Sequence, residues 1–326
     1  MDEELTFRNG ATVVSRNFQL SLSLRCGHRC LFCPVDLTGK DASAQDAARA
    51  LRGYDGPRGE TELILTGGEP ALAPSFFETA RLGRTLGFRS VTMLSSAASF
   101  ADAGFARAAH EAGVRRLFLS LHSHRPALHD QLTGTRRRFP LSVRGLKNAL
   151  ALPFDQVTCN MVLTRLNCAD VPAHAAFLAG LRPRGSAPLA LSLSALEENP
   201  RWHELRVAHA HAAPHARRAA EEGALPLAKF MGNWAMPVCI GGLAAAAPEL
   251  IPDARWDTPA WYAPENWAPV AGPAPSKYTR VKSRACRVCV LDGVCAGLSR
   301  AYAGYYGIGE LAPVAGRPPA VARRKA

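Results

Sequence analysis

Long apolar runs are missing from this chain. None approaches the roughly 20 residues that a helix needs to cross a bilayer, so a helical membrane protein is not expected. A secretory start is missing too: Met1-Asp2-Glu3-Glu4 is acidic and no apolar stretch follows, which leads us to expect a cytoplasmic protein. No internal repeat is seen. Lysine is scarce, six of the 39 basic residues, so the formal charge of +12 rests on arginine. Such a surplus suits nucleic acid, an acidic peptide or a phosphorylated metabolite as partner. It equally suits an arginine-rich surface with no partner, and no basic stripe interleaved with aromatics favours RNA.

What is present is enough for a large core: 326 residues, 48% hydrophobic and 20% charged. From residue 17 to about 195, short β-type runs alternate with helix-type runs, the pattern of a parallel α/β fold. The strand candidates are Phe18–Leu24, Thr61–Leu65, Ser90–Leu94, Arg116–Leu121, Val157–Thr164 and Leu189–Leu193. Helices are expected over 43–53, 74–87, 101–113, 139–151 and 170–181, with Gly87 and Gly113 as C-terminal stops. A sixth, rich in Ala and His, is expected over about 201–222. These units predict a partial (β/α)6 TIM-like barrel, with chemistry at the C-terminal edge of its strands. Residues 248–275 carry seven prolines among Trp256, Trp261 and Trp267 and read as irregular. The expected organisation is a barrel over 1–222, a small irregular cysteine-rich module over 223–316 and a disordered tail over 317–326.

Nine cysteines are many for a protein expected to keep its thiols reduced, and seven fall into two spaced groups. Cys26, Cys30 and Cys33 follow the first strand. Three thiolates at that spacing can hold one face of an iron-sulfur cubane and leave one iron open, or form a zinc knuckle with a remote fourth ligand such as His28. Thr66-Gly67-Gly68-Glu69-Pro70 ends the second strand, where two glycines allow close approach to the backbone and a carboxylate can receive an ammonium group. With these two motifs the chain resembles the radical S-adenosylmethionine (SAM) superfamily over about residues 17–195.

The resemblance implies that Cys26, Cys30 and Cys33 bind a 4Fe-4S cluster whose open iron takes SAM. It further implies that Phe32 packs near the adenine, that Gly67, Gly68, Glu69 and Pro70 seat the methionine end, and that Ser120, Asn160 and Val162 touch ribose and adenine. Glu69 or neighbouring backbone would hold the amine. One electron, from an external donor of the flavodoxin or ferredoxin type, would then release a 5'-deoxyadenosyl radical that takes hydrogen from substrate. No catalytic acid or base is needed for that step.

The second group is Cys239, Cys286, Cys289 and Cys295. Four thiolates satisfy a cubane or a structural zinc, and spacing does not choose between them. The stretch from Cys289 to Pro313 is similar to the SPASM and twitch modules of the superfamily, which implies a second, auxiliary 4Fe-4S cluster and favours a peptide substrate over a small metabolite. The roughly 16 residues ahead of the first strand are too few for a separate peptide-recognition domain. An RNA-modifying radical enzyme and a zinc-stapled binding protein without catalysis are the alternatives. Cys159 and Cys168 read as buried apolar residues, and His122, His124 and His129 as polar residues on the rim beyond the fourth strand. Arg136, Arg137 and Arg138 read as a solvated loop. The five tryptophans, Trp202 to Trp267, suit a substrate cap or apolar anchors of the module equally.

Overall fold

Strand and helix alternate as the sequence requires, and all strands of the main sheet run parallel. The computed structural model describes residues 14–35, 37, 40–196, 199, 201–228, 236–250, 255–262 and 280–316, without the side chains of 14, 15 and 255–262. The barrel is built from β1 (Val14–Ser23), α1 (Ala44–Gly53), β2 (Thr61–Gly67), α2 (Phe76–Thr85), β3 (Ser90–Ser95), α3 (Ala103–Glu111) and β4 (Arg116–Ser120). It continues through α4 (Pro126–Thr133), α5 (Phe139–Leu150), β5 (Gln156–Val162), α6 (Val171–Gly180) and β6 (Leu189–Ser194). Next come α7 (Trp202–Leu205), α8 (His209–Glu222), α9 (Leu243–Ala246) and β7 (Arg255–Tyr262). A short antiparallel pair, β8 (Arg280–Val281) and β9 (Leu298–Ser299), leads into α10 (Arg300–Tyr306).

The strand order is β6-β5-β4-β3-β2-β1-β7, an open sheet and not a closed barrel. The six expected strands are all present. The seventh corrects the reading of 248–275 as irregular, because β7 pairs in parallel with β1. Its register slips between the pairs Arg16–Asp257 and Phe18–Ala260. The slip falls at Pro259, which lacks the N–H a ladder needs and is tolerated on an edge strand at a bulge. At the other edge, Leu191 donates to Pro226 O and accepts from Ala228 N, at 2.9 and 2.8 Å, so the chain after α8 covers β6.

Two helix readings change as well. The expected helix over 201–222 breaks at Arg206, whose backbone is extended, and restarts as α8. The restart is fixed from outside, because the His209 N–H donates to Tyr302 Oη of α10 at 2.6 Å. Helix α4 was not expected; it opens with Pro126 at its first turn and closes on Gly134 in the left-handed region. Gly87 and Gly113 do end α2 and α3 with positive φ, as expected.

The strands alternate between two kinds of burial. Phe18, Leu20, Leu22, Leu63, Leu65, Met93, Leu117, Leu119, Val157 and Met161 join one apolar core with the helices. Most intervening positions, Asn17, Gln19, Ser21, Thr92, Thr158, Asn160 and Ser192, are buried and polar, while Ile64, Phe118 and Ala190 among them are buried and apolar. The face turned away from the helices is therefore a largely polar lumen with apolar patches, as a ligand-holding sheet allows. Beside the N-terminal ends of β3 and β4, Glu62 accepts from Thr92 and pairs with Arg116 at 3.5 Å. Cys159 and Cys168 are buried in the apolar core, as expected. Among the described residues no helix is long and apolar enough to cross a membrane.

Gly145 of α5 marks the tightest helix contact: a Cβ there would lie 1.9 Å from Ala97 O. Gly145→Ala should lower stability by about 1–3 kcal/mol. Gly180→Ala, where nothing lies within 4 Å, should leave the thermal midpoint nearly unchanged, and calorimetry of the two variants checks the difference.

Candidate functional site at the ends of β1 to β5

The chain leaving β2 presses against the chain leaving β1. Gly68 N donates to Ser23 O at 2.5 Å and Glu69 N to Arg25 O at 2.8 Å. Only glycine permits this: a Cβ on Gly67, at φ +125°, would sit 2.3 Å from Ser23 O, and one on Gly68 2.5 Å from Arg25 O. The open sides of both glycines thus face the exit of β1. The Arg25 guanidinium pairs with Asp41 and donates to Leu72 O at 2.6 Å, while Ser23 Oγ donates to Asp41 at 2.6 Å. Sequence reading missed this clamp, since a single Arg and Asp carry no pattern.

The loop that follows bears Cys26, Cys30 and Cys33, all half-buried. Helix α4 supports it: Arg29 N donates to Thr133 O and Leu31 N to Leu132 O, both at 2.9 Å. Burial raises all three thiol pKa values, and the neighbouring sulfurs add to the effect at Cys26 and Cys30. Glu69 raises Cys26 further, whereas the Val35 backbone and Arg29 act the other way on Cys33. Three partly buried thiols close enough to influence one another's charge form a donor set that needs a cation to become thiolate.

Glu69 is 3% exposed and its Oε2 is held by three donors. Its Oε2 accepts from Ser96 N, Ser96 Oγ and Ser95 Oγ at 2.9, 2.7 and 3.2 Å, and its Oε1 from Ala71 N at 3.4 Å. Burial raises its pKa and these donors oppose the rise. The carboxylate braces the end of β2 against the end of β3, and Pro70 opens the short 3-10 turn that follows. Ser95 and Ser96 were missed, although two serines just past a strand candidate were visible in the sequence.

Phe32 packs with Leu128, Leu132 and Leu205, and Val162 lies against the same patch. The Phe32 ring meets His122 edge-on at 4.7 Å, and Val162 N donates to His122 Nδ1 at 3.2 Å. Ser120 and Asn160 are register partners across β4 and β5, and Asn160 Oδ1 accepts from Ser194 Oγ at 2.7 Å. The structure thus brings Phe32, Ser120, Asn160 and Val162 together along one edge. Asn167, also missed, holds that edge by donating to His122 O and Val162 O, each at 2.9 Å.

The reading of His122, His124 and His129 as a polar rim is corrected. His122 and His129 are buried and His124 is half-buried, because α4 folds back over the end of β4 and carries His129 inward. His122 N donates to His129 Nδ1 at 3.3 Å. Arg136, Arg137 and Arg138 are exposed, as a solvated loop should be.

The second cysteine group also comes together. Cys239, Cys286, Cys289 and Cys295 line one pocket with Lys282 and Leu311. Gly297 N donates to Cys295 Sγ at 3.4 Å, Val314 N to Cys289 Sγ at 3.3 Å, and the Ala312 amide to Cys239. Burial and the three other sulfurs push Cys239 up to about 11, with that amide opposing. No group of three His, Cys, Asp or Glu among the described residues has the geometry of a single-ion site. Of the tryptophans, Trp202 is buried and edge-on to Tyr305 at 5.6 Å, an apolar anchor. Trp234, Trp267 and the side chains of Trp256 and Trp261 lie outside the described residues, as does 317–326.

A sequence profile described as the Radical SAM superfamily matches residues 20–178. GTP 3',8-cyclase of Picosynechococcus sp. is 31% identical over 155 residues, 44% of this chain and 46% of the cyclase. That of Shewanella denitrificans is 29% identical over 160 residues, 47% of each. The chain spans about half the length of the curated relatives it matches. Streptococcus suis SuiB aligns with a TM-score of 0.52 at 17% identity, covering 74% of this chain and 53% of SuiB. HydG, a maturase of the FeFe-hydrogenase, aligns at 0.51 and 12%, covering 67% and 52%. These structural likenesses bear on the fold, an α/β sheet of parallel strands.

The buried histidines predict how stability varies with pH. Burial lowers His28 and His129 to about 4 and His174 and His209 to about 3. Their unfolded values lie near about 6.5, so the unfolded chain binds more protons in between. Stability is present above about pH 6.5 and is lost as pH falls toward the folded values, by more than about 1 kcal/mol per pH unit for each histidine. His174→Phe should flatten that slope by one such increment, read from urea unfolding at pH 7, 6 and 5.

Proposed function

We propose, for a chain that belongs to the radical SAM superfamily through residues 20–178, that Cys26, Cys30 and Cys33 hold the 4Fe-4S cluster this family carries and that SAM binds beside it at the ends of β1 to β5. The observation that carries this reading is the meeting of three mutually repelling, partly buried sulfurs with the Gly67–Pro70 turn. The donor set fits: buried thiols with raised pKa values become good ligands once iron supplies the positive charge. When bound, the cluster and SAM supply one-electron cleavage of a sulfonium carbon-sulfur bond and a 5'-deoxyadenosyl radical that takes a hydrogen atom from substrate.

The residues of the chain then bind and orient. Glu69 is engaged by Ser95, Ser96 and Ala71, so backbone carbonyls of the turn, and not that carboxylate, receive the methionine amine. Phe32 and Val162 offer the apolar surface for adenine, and Ser120 and Asn160 the polar partners for ribose. The lumen of buried, largely polar side chains receives the substrate. A second wall is the pocket lined by Leu163, Leu196, Trp202, Arg206, His209 and Tyr302, where α10 meets the ends of β5 and β6. The Arg206 guanidinium carbon lies over the Tyr305 ring, 3.4 Å from its centre.

The module over 223–316 holds an auxiliary 4Fe-4S cluster through Cys239, Cys286, Cys289 and Cys295. Amide-to-sulfur bonds from Gly297, Val314 and Ala312 support thiolate ligands there. Its role is electron transfer or shaping the pocket, since four thiolates leave no iron free. The substrate is a small metabolite or a peptide. The relatives named GTP 3',8-cyclase put a nucleoside triphosphate first among small molecules to try.

Two variants test the assignment after anaerobic reconstitution with dithionite as reductant. Cys30→Ala should reduce release of 5'-deoxyadenosine to background, and persisting cleavage would end the proposal. Cys286→Ala should lower the iron content while leaving the first cluster in place; zinc in place of iron at the second site would contradict the auxiliary cluster.

A further inference from the structure

We infer that Lys282 fits the centre at Cys239, Cys286, Cys289 and Cys295 to accept an electron: its ammonium offsets the negative charge that the cluster gains on reduction. The inference rests on the auxiliary-cluster reading above and chooses electron transfer over shaping of the pocket. Lys282 is the one basic residue lining the four-sulfur pocket among the described residues, and its side chain is 9% exposed. Its Nζ donates to Asp292 Oδ1 at 2.8 Å and to Asp292 O at 2.5 Å.

The fold fixes that ammonium in the cysteine loop. β8 and β9 pair Val281 with Leu298, so Lys282 leaves β8 level with the chain that follows Cys295. That chain packs directly on it: a Cβ on Gly297, at φ +78°, would lie 2.3 Å from Val281 O and 2.9 Å from Lys282 Cγ. Asp292, between Cys289 and Cys295, draws the ammonium toward the loop that bears those two sulfurs. The charge is felt there. Burial raises the Cys295 thiol, while the Gly297 amide and Lys282 act against the rise.

Four thiolates leave an oxidised 4Fe-4S cluster anionic, and one added electron makes it more so. The wall of the pocket includes Val238, Leu291 and Leu311, all buried, so water screens little of that charge. A cation in such a wall stabilises the reduced state more than the oxidised one and raises the potential at which the cluster accepts an electron. Asp292 is 45% exposed, so solvent screens its opposing charge more than that of Lys282. In the step itself a one-electron reductant loses an electron and the cluster gains it; no bond or proton moves.

The test is a dithionite redox titration of the reconstituted holoenzyme with SAM present, followed by electron paramagnetic resonance. The auxiliary cluster is the signal that SAM leaves unchanged. At the potential where half of it is reduced in wild type, Lys282→Met should lower the ratio of reduced to oxidised cluster by about tenfold, a midpoint about 59 mV lower for one electron. Lys282→Arg should keep the wild-type midpoint. Asp292→Asn, which removes the counter-charge and leaves the lysine, should move it upward. The cluster at Cys26, Cys30 and Cys33 should keep its midpoint in all three variants. An unmoved auxiliary midpoint in Lys282→Met, or shifts of the same sign in Lys282→Met and Asp292→Asn, would overturn the inference, since a mere brace has no sign. Should Lys282→Met fail to take up its iron, Asp292→Asn decides alone, by an upward shift or by none. Zinc at the second site would strike the auxiliary-cluster reading itself, and the inference with it.

Discussion

The close approach of two strand ends governs this molecule. Where β1 and β2 finish, Gly67 and Gly68 let backbone lie on backbone, and the bonds to Ser23 O and Arg25 O lock the start of the cysteine loop to the turn after β2. A Cβ at Gly67 or Gly68 would lie 2.3 or 2.5 Å from a carbonyl oxygen of the neighbouring strand end, so the two would have to part. Everything that follows inherits this position: Cys26 is the next residue, Arg25 reaches Asp41 and Leu72, and Glu69 leaves the turn to meet Ser95 and Ser96. Three consecutive strand ends are thereby tied into one edge.

That edge opens onto a lumen whose side chains are buried yet largely polar. Such a surface is costly to fold unless its groups are paired, and here they pair with one another, as Asn160 does with Ser194 and Glu62 with Thr92. The cost is consistent with a sheet built to receive a polar ligand. The cysteine-rich region, in turn, is joined to the barrel by more than sequence. β7 adds to β1, and Tyr302 of α10 accepts from His209 N, stacks on the His209 ring at 4.0 Å and donates to Glu310 at 2.6 Å. The chain following residue 223 thus contributes a strand to the sheet and a helix packed against the start of α8.

Much of this was legible in the sequence because it is written in periodicity. Six strands announced themselves by alternation, clearest in Phe18 to Leu24, and the two motifs named their own residues. What was not legible depends on partners distant in sequence. β7 hides behind a proline that breaks the ladder at a bulge, α4 is one short helix with a weak apolar stripe, and α8 begins where it does because a tyrosine about ninety residues later meets its first amide. Similarly, the glycines of the turn looked like room for a ligand, and the structure shows them making room for the neighbouring strand. Histidines that looked like rim residues are buried by the helix that sequence reading did not see.

The central claim is a cubane held by three sulfurs with one iron free for SAM. The most direct measurement is the electron paramagnetic resonance spectrum of the anaerobically reconstituted, reduced protein before and after SAM is added. The account predicts that SAM changes the signal of one reduced cluster, as ligation at its open iron requires. A spectrum that SAM leaves unchanged, in protein shown to carry its iron, would contradict it.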